Sequence, residues 1–218
     1  MNEQKNNAVT VESKTDWEFL LQIGIVVVLA ALLFYNVGKA GNVTGGVIGT
    51  VSASEIIPTG VPAIYGKNLG VSYDDVSPNN PSLADATIEK LSAYEDKELT
   101  QEQMQRYIQI GSSISCEYCC GAKAIIFSSG ERACGCAHSY SMRGLAKYLL
   151  INHPDMSDEQ ILEELGKWKV LFFPGIHEKK AAVLKSKGIE LNYINLASNK
   201  YRGIEQGQAS DGGMVGGC

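Results

Sequence analysis

Hydrophobic and polar positions change character several times along the chain. Residues 19–38, FLLQIGIVVVLAALLFYNVG, form an apolar run without a charged side chain. Such a run, if helical, spans about 30 Å, the thickness of a bilayer's hydrocarbon core. Trp17 and Tyr35 stand near its two ends, where amphipathic rings prefer to lie. The pattern predicts a single transmembrane helix over 17–39, preceded by an N-terminal tail, 1–16. A cleaved signal peptide is the alternative, because Gly38-Lys39-Ala40 is small-x-small. Against it, the run is longer than a signal core and its leader is long and of mixed charge. Lys5 and Lys14 before the run, against Lys39 after it, favour a body outside the membrane. The sequon Asn42-Val43-Thr44 suits an exported face.

From 40 to 82 Gly, Pro, Ser, Thr and Asn dominate. This reads as a loop-rich stalk with short strands at 48–51 and 71–73. Helical spacing then begins: Ile88, Leu91 and Tyr94 share one face. Thr100-Gln101-Glu102-Gln103 is a capping box, opening a helix whose buried stripe is Met104, Tyr107 and Ile108 and which ends near Gly111. Residues 137–152 are helical in pattern, with Met142, Leu145 and Leu149 on one face, and Pro154 ends them. Ser157-Asp158-Glu159-Gln160 is a second capping box. Its helix turns Ile161, Leu162 and Leu165 inward and offers Glu159, Glu163 and Glu164 as a solvated face. Residues 170–174 form a short apolar run ended by Pro174. Residues 177–187 read as a helix stopped by Gly188, and 191–196 alternate like a short strand. The tail 207–218, GQASDGGMVGGC, is too Gly-rich to fold alone.

The expected fold class is therefore mainly α with a small β-hairpin. It comprises a single N-terminal transmembrane helix, a stalk (40–82), a helical Cys/His domain (83–206) and a flexible tail. A length of 218 residues holds one domain plus accessories. The net charge of −5, from 19 Lys+Arg against 24 Asp+Glu, leaves no basic stripe, which excludes general nucleic-acid binding. No Ser/His/Asp set or carboxylate pair stands out. Residues 41–46, GNVTGG, lack the Lys and the strand–helix context of a phosphate-binding loop. No catalytic residue and no small-molecule substrate are indicated, so the reading leans away from an enzyme.

The cysteines change this picture. Five of the six lie between Cys116 and Cys136, and the sixth, Cys218, is the last residue. Cys116-Glu117-Tyr118-Cys119-Cys120-Gly121 is a knuckle: two thiolates converge because the chain turns tightly, and Gly permits the turn. Residues 124–133 read as a β-hairpin. Cys134-Gly135-Cys136-Ala137-His138 opens the next helix, and Cys134 and His138, four apart, share a face if the helix has begun by Cys134. This layout resembles the treble-clef type of zinc site. Its candidate ligands are Cys116, Cys119, Cys120, Cys134, Cys136 and His138, more than one tetrahedral ion can use. Either some thiols are spare, or the site holds more than one metal or a cluster, or Cys120 and Cys136 have redox work.

Zinc is the default ion. Copper(I) and an iron–sulfur cluster suit the same donors. Met142, one turn after His138, offers copper a thioether or else packs the core. Cys218 on its Gly-rich tether is either an added ligand or resolving thiol, or a plain terminal residue. His153 and His177 read as surface or capping residues. In an oxidising space six cysteines also permit three disulfides, although a vicinal Cys119–Cys120 ring would be strained. A c-type haem is disfavoured, because C-x-x-C is followed by Cys120 and not His.

The run SCEYCCGAKAIIFSSGERACGCAHSYSMRGLAKYLL, followed by DEQILEELGKWKVLFFP, resembles uncharacterised membrane-anchored Cys-rich proteins of archaea and candidate bacterial groups. The likeness covers roughly 70–174 plus the terminal Cys. The chain is also similar to exported bacterial proteins with a PCYCGC motif, though it lacks that literal motif. The resemblance implies membrane attachment and metal binding and supplies no activity. Three functions are expected from the reading as a whole. The first is a membrane-anchored, Cys/His metal-binding domain, with zinc, in a structural or metal-handling role. The second is a thiol–disulfide oxidoreductase or assembly factor acting on exported proteins, with Cys116 and Cys119 as its redox pair. The third is a disulfide-stapled extracytoplasmic scaffold. Each places a single-pass protein in the membrane, its soluble domain outside, beside a protein partner.

Overall fold

A computed structural model describes residues 17–39, 51–207 and 213–217. The chain divides into two units, Met1–Gly46 and Val47–Cys218. The first carries helix α1, Trp17–Lys39. Among the described residues no helix is long and apolar enough to cross a membrane. That finding corrects the transmembrane anchor, and with it the single-pass membrane location and the extracytoplasmic placement of the body. The tail 1–16, the sequon at Asn42, the GNVTGG segment and Ala40 of the cleavage pattern lie outside the described residues.

In the second unit the helices are α2 (Ala53–Ile56), α3 (Gly66–Leu69), α4 (Pro81–Ser92), α5 (Gln101–Ser112), α6 (Ala137–Asn152), α7 (Asp158–Phe172), α8 (Pro174–Ser186) and α9 (Tyr193–Ala197). Their starts are set by local chemistry. Asn80 accepts from the Leu83 amide with Pro81 at the first helical position. Thr100 with Gln103, and Ser157 with Gln160, form the two reciprocal capping boxes. Helix α6 buries residues on every side, which marks it as the central helix, and it packs against α4, α5 and α7. The Gln103 side chain ties α5 to it by donating to the Leu150 carbonyl at 3.1 Å.

Close approach of α4 and α6 depends on Gly144. A Cβ there would stand 2.3 Å from the Leu91 carbonyl oxygen and 2.8 Å from Ser92 Cα. Because both are backbone atoms, no rotamer change relieves the clash. Gly144→Ala gains about 1 kcal/mol of helix propensity but overpacks the contact at a cost of about 1–3 kcal/mol or more. The variant is expected to unfold at lower urea concentration than the parent. An unchanged or higher midpoint would show that the two helices separate without penalty.

Five expectations are corrected by the folded chain. The segment 51–76, read as stalk, contributes Val51, Ile56, Tyr65, Val71, Tyr73 and Val76 to the core. Tyr65 and Tyr73 hydroxyls donate to Glu164 at 3.0 and 2.8 Å, and Trp168 Nε1 donates to Tyr65 at 2.7 Å. Glu164 is thus an internal acceptor, where the helix pattern made it a solvated acid. Residues 71–73 form no strand, and of 48–51 only Val51 is described. The run 170–174 is divided: α7 continues to Phe172, and Pro174 begins α8. Residues 191–196 are not a strand, because Asn192 accepts from the Asn195 amide at 2.8 Å and starts α9 instead.

The β-hairpin at 124–133 is also absent. No strand occurs among the described residues, only isolated bridges pairing Ile126 with Arg132 and Ile114 with Ser198. The reason is competition for backbone groups. The Ile125 amide donates to the Gly111 and Ile114 carbonyls and not across the turn, while the Ile125 carbonyl accepts from both the Ala133 amide and Arg143. The loop is thereby held by α5 and α6, leaving one bridge around the turn at Gly130.

Candidate metal centre

Residues 113–136 join α5 to α6 and bring the ligand candidates together. The chain turns through 117–120, with the Cys120 amide donating to the Cys116 carbonyl at 3.3 Å. Gly121, at φ 69°, closes the turn in a conformation that disfavours a side chain. At the other end of the loop Cys136 is the N-cap of α6, its Sγ accepting from the Ser139 amide at 3.4 Å. A sulfur there faces unpaired amides and the positive end of the helix dipole, which favours thiolate.

The buried Cys116 brings its Sγ to 3.2 Å from Cys136 Sγ. The Cys136 hydrogen bond and then burial push the Cys116 thiol up. The contact with Cys116, followed by contacts from His138 and Ser139, holds Cys136 well below the ordinary thiol range despite its burial. Cys120 and Cys134 form a disulfide, and Cys116, Cys119 and Cys136 stand outside that bond.

His138 completes the group. Its ring is fully buried against Phe172 and Phe173, with centroids 4.6 and 5.1 Å away. His138 Nε2 lies 2.9 Å from the Val215 carbonyl. A carbonyl only accepts, so Nε2 carries the proton. Nδ1 is buried with no hydrogen-bond partner. Val215 is fixed in turn by donating its amide to the Phe172 carbonyl at 2.9 Å. The ligand atoms of Cys116, Cys119, Cys136 and His138 lie within 4.8 Å of one another, as do those of Cys116, Cys120, Cys134 and Cys136. A cluster with these donors at this spacing can hold a metal ion.

All six loop ligands expected from the sequence therefore converge. Met142 is buried in the hydrophobic core, and Cys218 lies outside the described residues. The tail does return to the centre: the Gly217 amide donates to Asp85 at 2.8 Å. His177, expected at the surface or in a cap, is fully buried, and its Nδ1 lies 2.8 Å from the Phe173 carbonyl. A cleft of about 870 Å³, lined among others by Asp85, Glu89, Tyr140 and Cys136, reaches the cluster from outside and supplies an entry path.

Two buried ionic groups support the centre, and neither was legible beforehand. Arg143, fully buried, donates to Glu95 at 2.7 Å and to the carbonyls of Ile125 (3.0 Å) and Cys134 (2.8 Å). Beside Cys116, Glu117 accepts from buried Lys169 at 3.1 Å and pairs with Arg202 at 3.1 Å. Burial lowers Lys169 to about 8, with Glu117 opposing that shift. One signal was present in α6: its only charged residues, Arg143 and Lys147, are too few to make a solvated face. No family model, no curated protein and no solved structure matches the chain.

Proposed function

We propose that the second unit is a metal-binding domain that holds one zinc ion on Cys116, Cys119, Cys136 and His138, and that the ion joins the 116–120 turn to the start of α6. The observation that carries this reading is His138. Its Nε2–H is spent on a backbone carbonyl and its Nδ1 is buried without a partner. An imidazole that ligates a metal characteristically has this arrangement, the outer nitrogen anchored and the inner one reserved for the ion. A buried acceptor left unmet costs about 1–3 kcal/mol, which coordination removes. The disulfide accounts for the surplus of ligands, since it withdraws two of the six and leaves a closed tetrahedral set.

The test is elemental analysis of anaerobically purified full-length protein with a thiol count. About one zinc per chain with protected thiols is expected. His138→Ala should weaken zinc binding by more than the roughly 10–100-fold typical of losing an outer-shell partner, measured by competition with a chromogenic chelator. Metal-free protein in which His138→Ala changes nothing would overturn the reading.

A second reading, thiol–disulfide exchange, has one observation in its favour: Cys136 Sγ lies 3.4 Å from Cys134 Sγ of the disulfide. A thiolate beside a disulfide is the arrangement from which exchange begins. This reading expects rapid alkylation of Cys136 at neutral pH in protein that carries no metal.

A further inference from the structure

We propose that reduction of the Cys120–Cys134 disulfide opens a second metal position, converting the one-ion site into a thiolate-bridged two-ion centre. The inference rests on the one-ion reading above and extends it. Two four-ligand groups occupy this loop, Cys116/Cys119/Cys136/His138 and Cys116/Cys120/Cys134/Cys136. They have two members in common, Cys116 and Cys136, whose sulfurs are 3.2 Å apart. Two tetrahedral ions need eight ligand positions. Six donors fill eight positions only if two of them bridge, and the shared pair supplies two. Both shared donors are sulfurs, which have lone pairs for two metals. His138 is terminal, because its second nitrogen is committed to Val215. Cys119 with His138 closes one end, and Cys120 with Cys134 closes the other.

The charge balance favours the same outcome. One divalent ion with three thiolates and a neutral imidazole carries a net charge of −1. Two divalent ions with five thiolates and the same imidazole also carry −1. The buried surroundings, including Lys169 and Glu117, therefore meet the same charge in both states. The second ion brings in the two thiolates that neutralise it.

The chemical step is a thiol–disulfide exchange. A dithiol of the surroundings donates two electrons and two protons, breaks the Cys120–Cys134 bond, yields two thiols and leaves as its own disulfide. Each new thiol then gives up its proton to solvent as its sulfur binds the metal. Cys120 is exposed, so the reductant has access to one sulfur of the bond.

The experiment uses the full chain and Zn²⁺ alone, with and without a phosphine reductant, which reduces the bond and is itself converted to the phosphine oxide. After gel filtration, zinc is expected to rise from about one per chain before reduction to about two afterwards. The Cys120→Ser/Cys134→Ser double variant keeps the first group intact and should hold about one zinc under both conditions. In the reduced protein loaded with Co²⁺, magnetic coupling through the bridging sulfurs should diminish the electron paramagnetic resonance signal per cobalt relative to the double variant. One zinc bound both before and after reduction would overturn the gate while leaving the one-ion reading intact. No zinc in the oxidised protein would overturn both. Two uncoupled cobalt ions would overturn the bridge.

Discussion

Replacing Arg143 by Met is expected to lower the unfolding free energy by about 3–5 kcal/mol, the cost of stripping one partner from a buried ion pair. For a chain of this size that is a fall of about 10 °C in Tm. Arg143 has no solvent exposure and Glu95 is only 4% exposed, so neither charge is recovered by water. Met fills the stem's volume, which isolates the loss of the guanidinium from a cavity effect. The loss extends beyond the pair, because the same side chain bonds the carbonyls of Ile125 and Cys134. These are the loop contacts that carry the cysteines to α6. Reduced zinc affinity should therefore accompany reduced stability.

A pH dependence accompanies this variant. Burial of Glu95 favours its neutral form, but hydrogen bonds from Arg132 and Arg143 outweigh burial and hold its carboxyl below the usual range. In the folded state it binds a proton less readily than in the unfolded one. Its contribution is complete above the unfolded value of about 4.3 and is lost as pH falls through the folded value. Urea midpoints from pH 7 down to pH 3 should converge for parent and Arg143→Met. A constant gap across that range would mean that the pair's charge is not what stabilises the loop.

Removing the Glu117 carboxylate, by Glu117→Gln, is expected to have an effect of similar size, about 3–5 kcal/mol. Its partner Lys169 is fully buried, and Lys180 Nζ is buried nearby without a hydrogen-bond partner. The variant leaves those ammonium groups in the interior with less opposing charge. Glu117→Gln/Lys169→Met removes both members of the pair and should recover much of the loss, since an apolar replacement of a buried pair is often neutral or better. The decisive measurement is the coupling energy of this double-mutant cycle. Additive losses would show that the two residues act independently.

Much of the α-helical plan could be read locally. The helix over 137–152 and the capping boxes at Thr100 and Ser157 depend on residues three or four apart, and the structure has them as expected. The loop cysteines and His138 lie close enough together to hold a metal ion. Readings that depended on distant partners fared differently. Ile125 and Ile126 carry strand-forming side chains, but the Ile125 amide is taken by the carbonyls of Gly111 and Ile114. The Gly, Pro, Ser, Thr and Asn content of 40–82 suggested a stalk, and the apolar residues of 51–76 show no fixed repeat. They nevertheless find places on a core formed much later in the chain, as Tyr65 and Tyr73 do on Glu164 and Trp168.

Which donors are available, how tightly the chain turns between them and where the principal helices begin follow from covalent spacing and from local competition for amide groups. Tertiary packing then set how the donors are divided. It paired Cys120 with Cys134, gave two ligand groups Cys116 and Cys136 in common, and turned His138 so that Val215 holds one nitrogen and leaves the other for an ion. It also buried Arg143 and Lys169 against acids some 50 residues away in sequence. Distances of that kind are set by helix packing, and no local pattern encodes them.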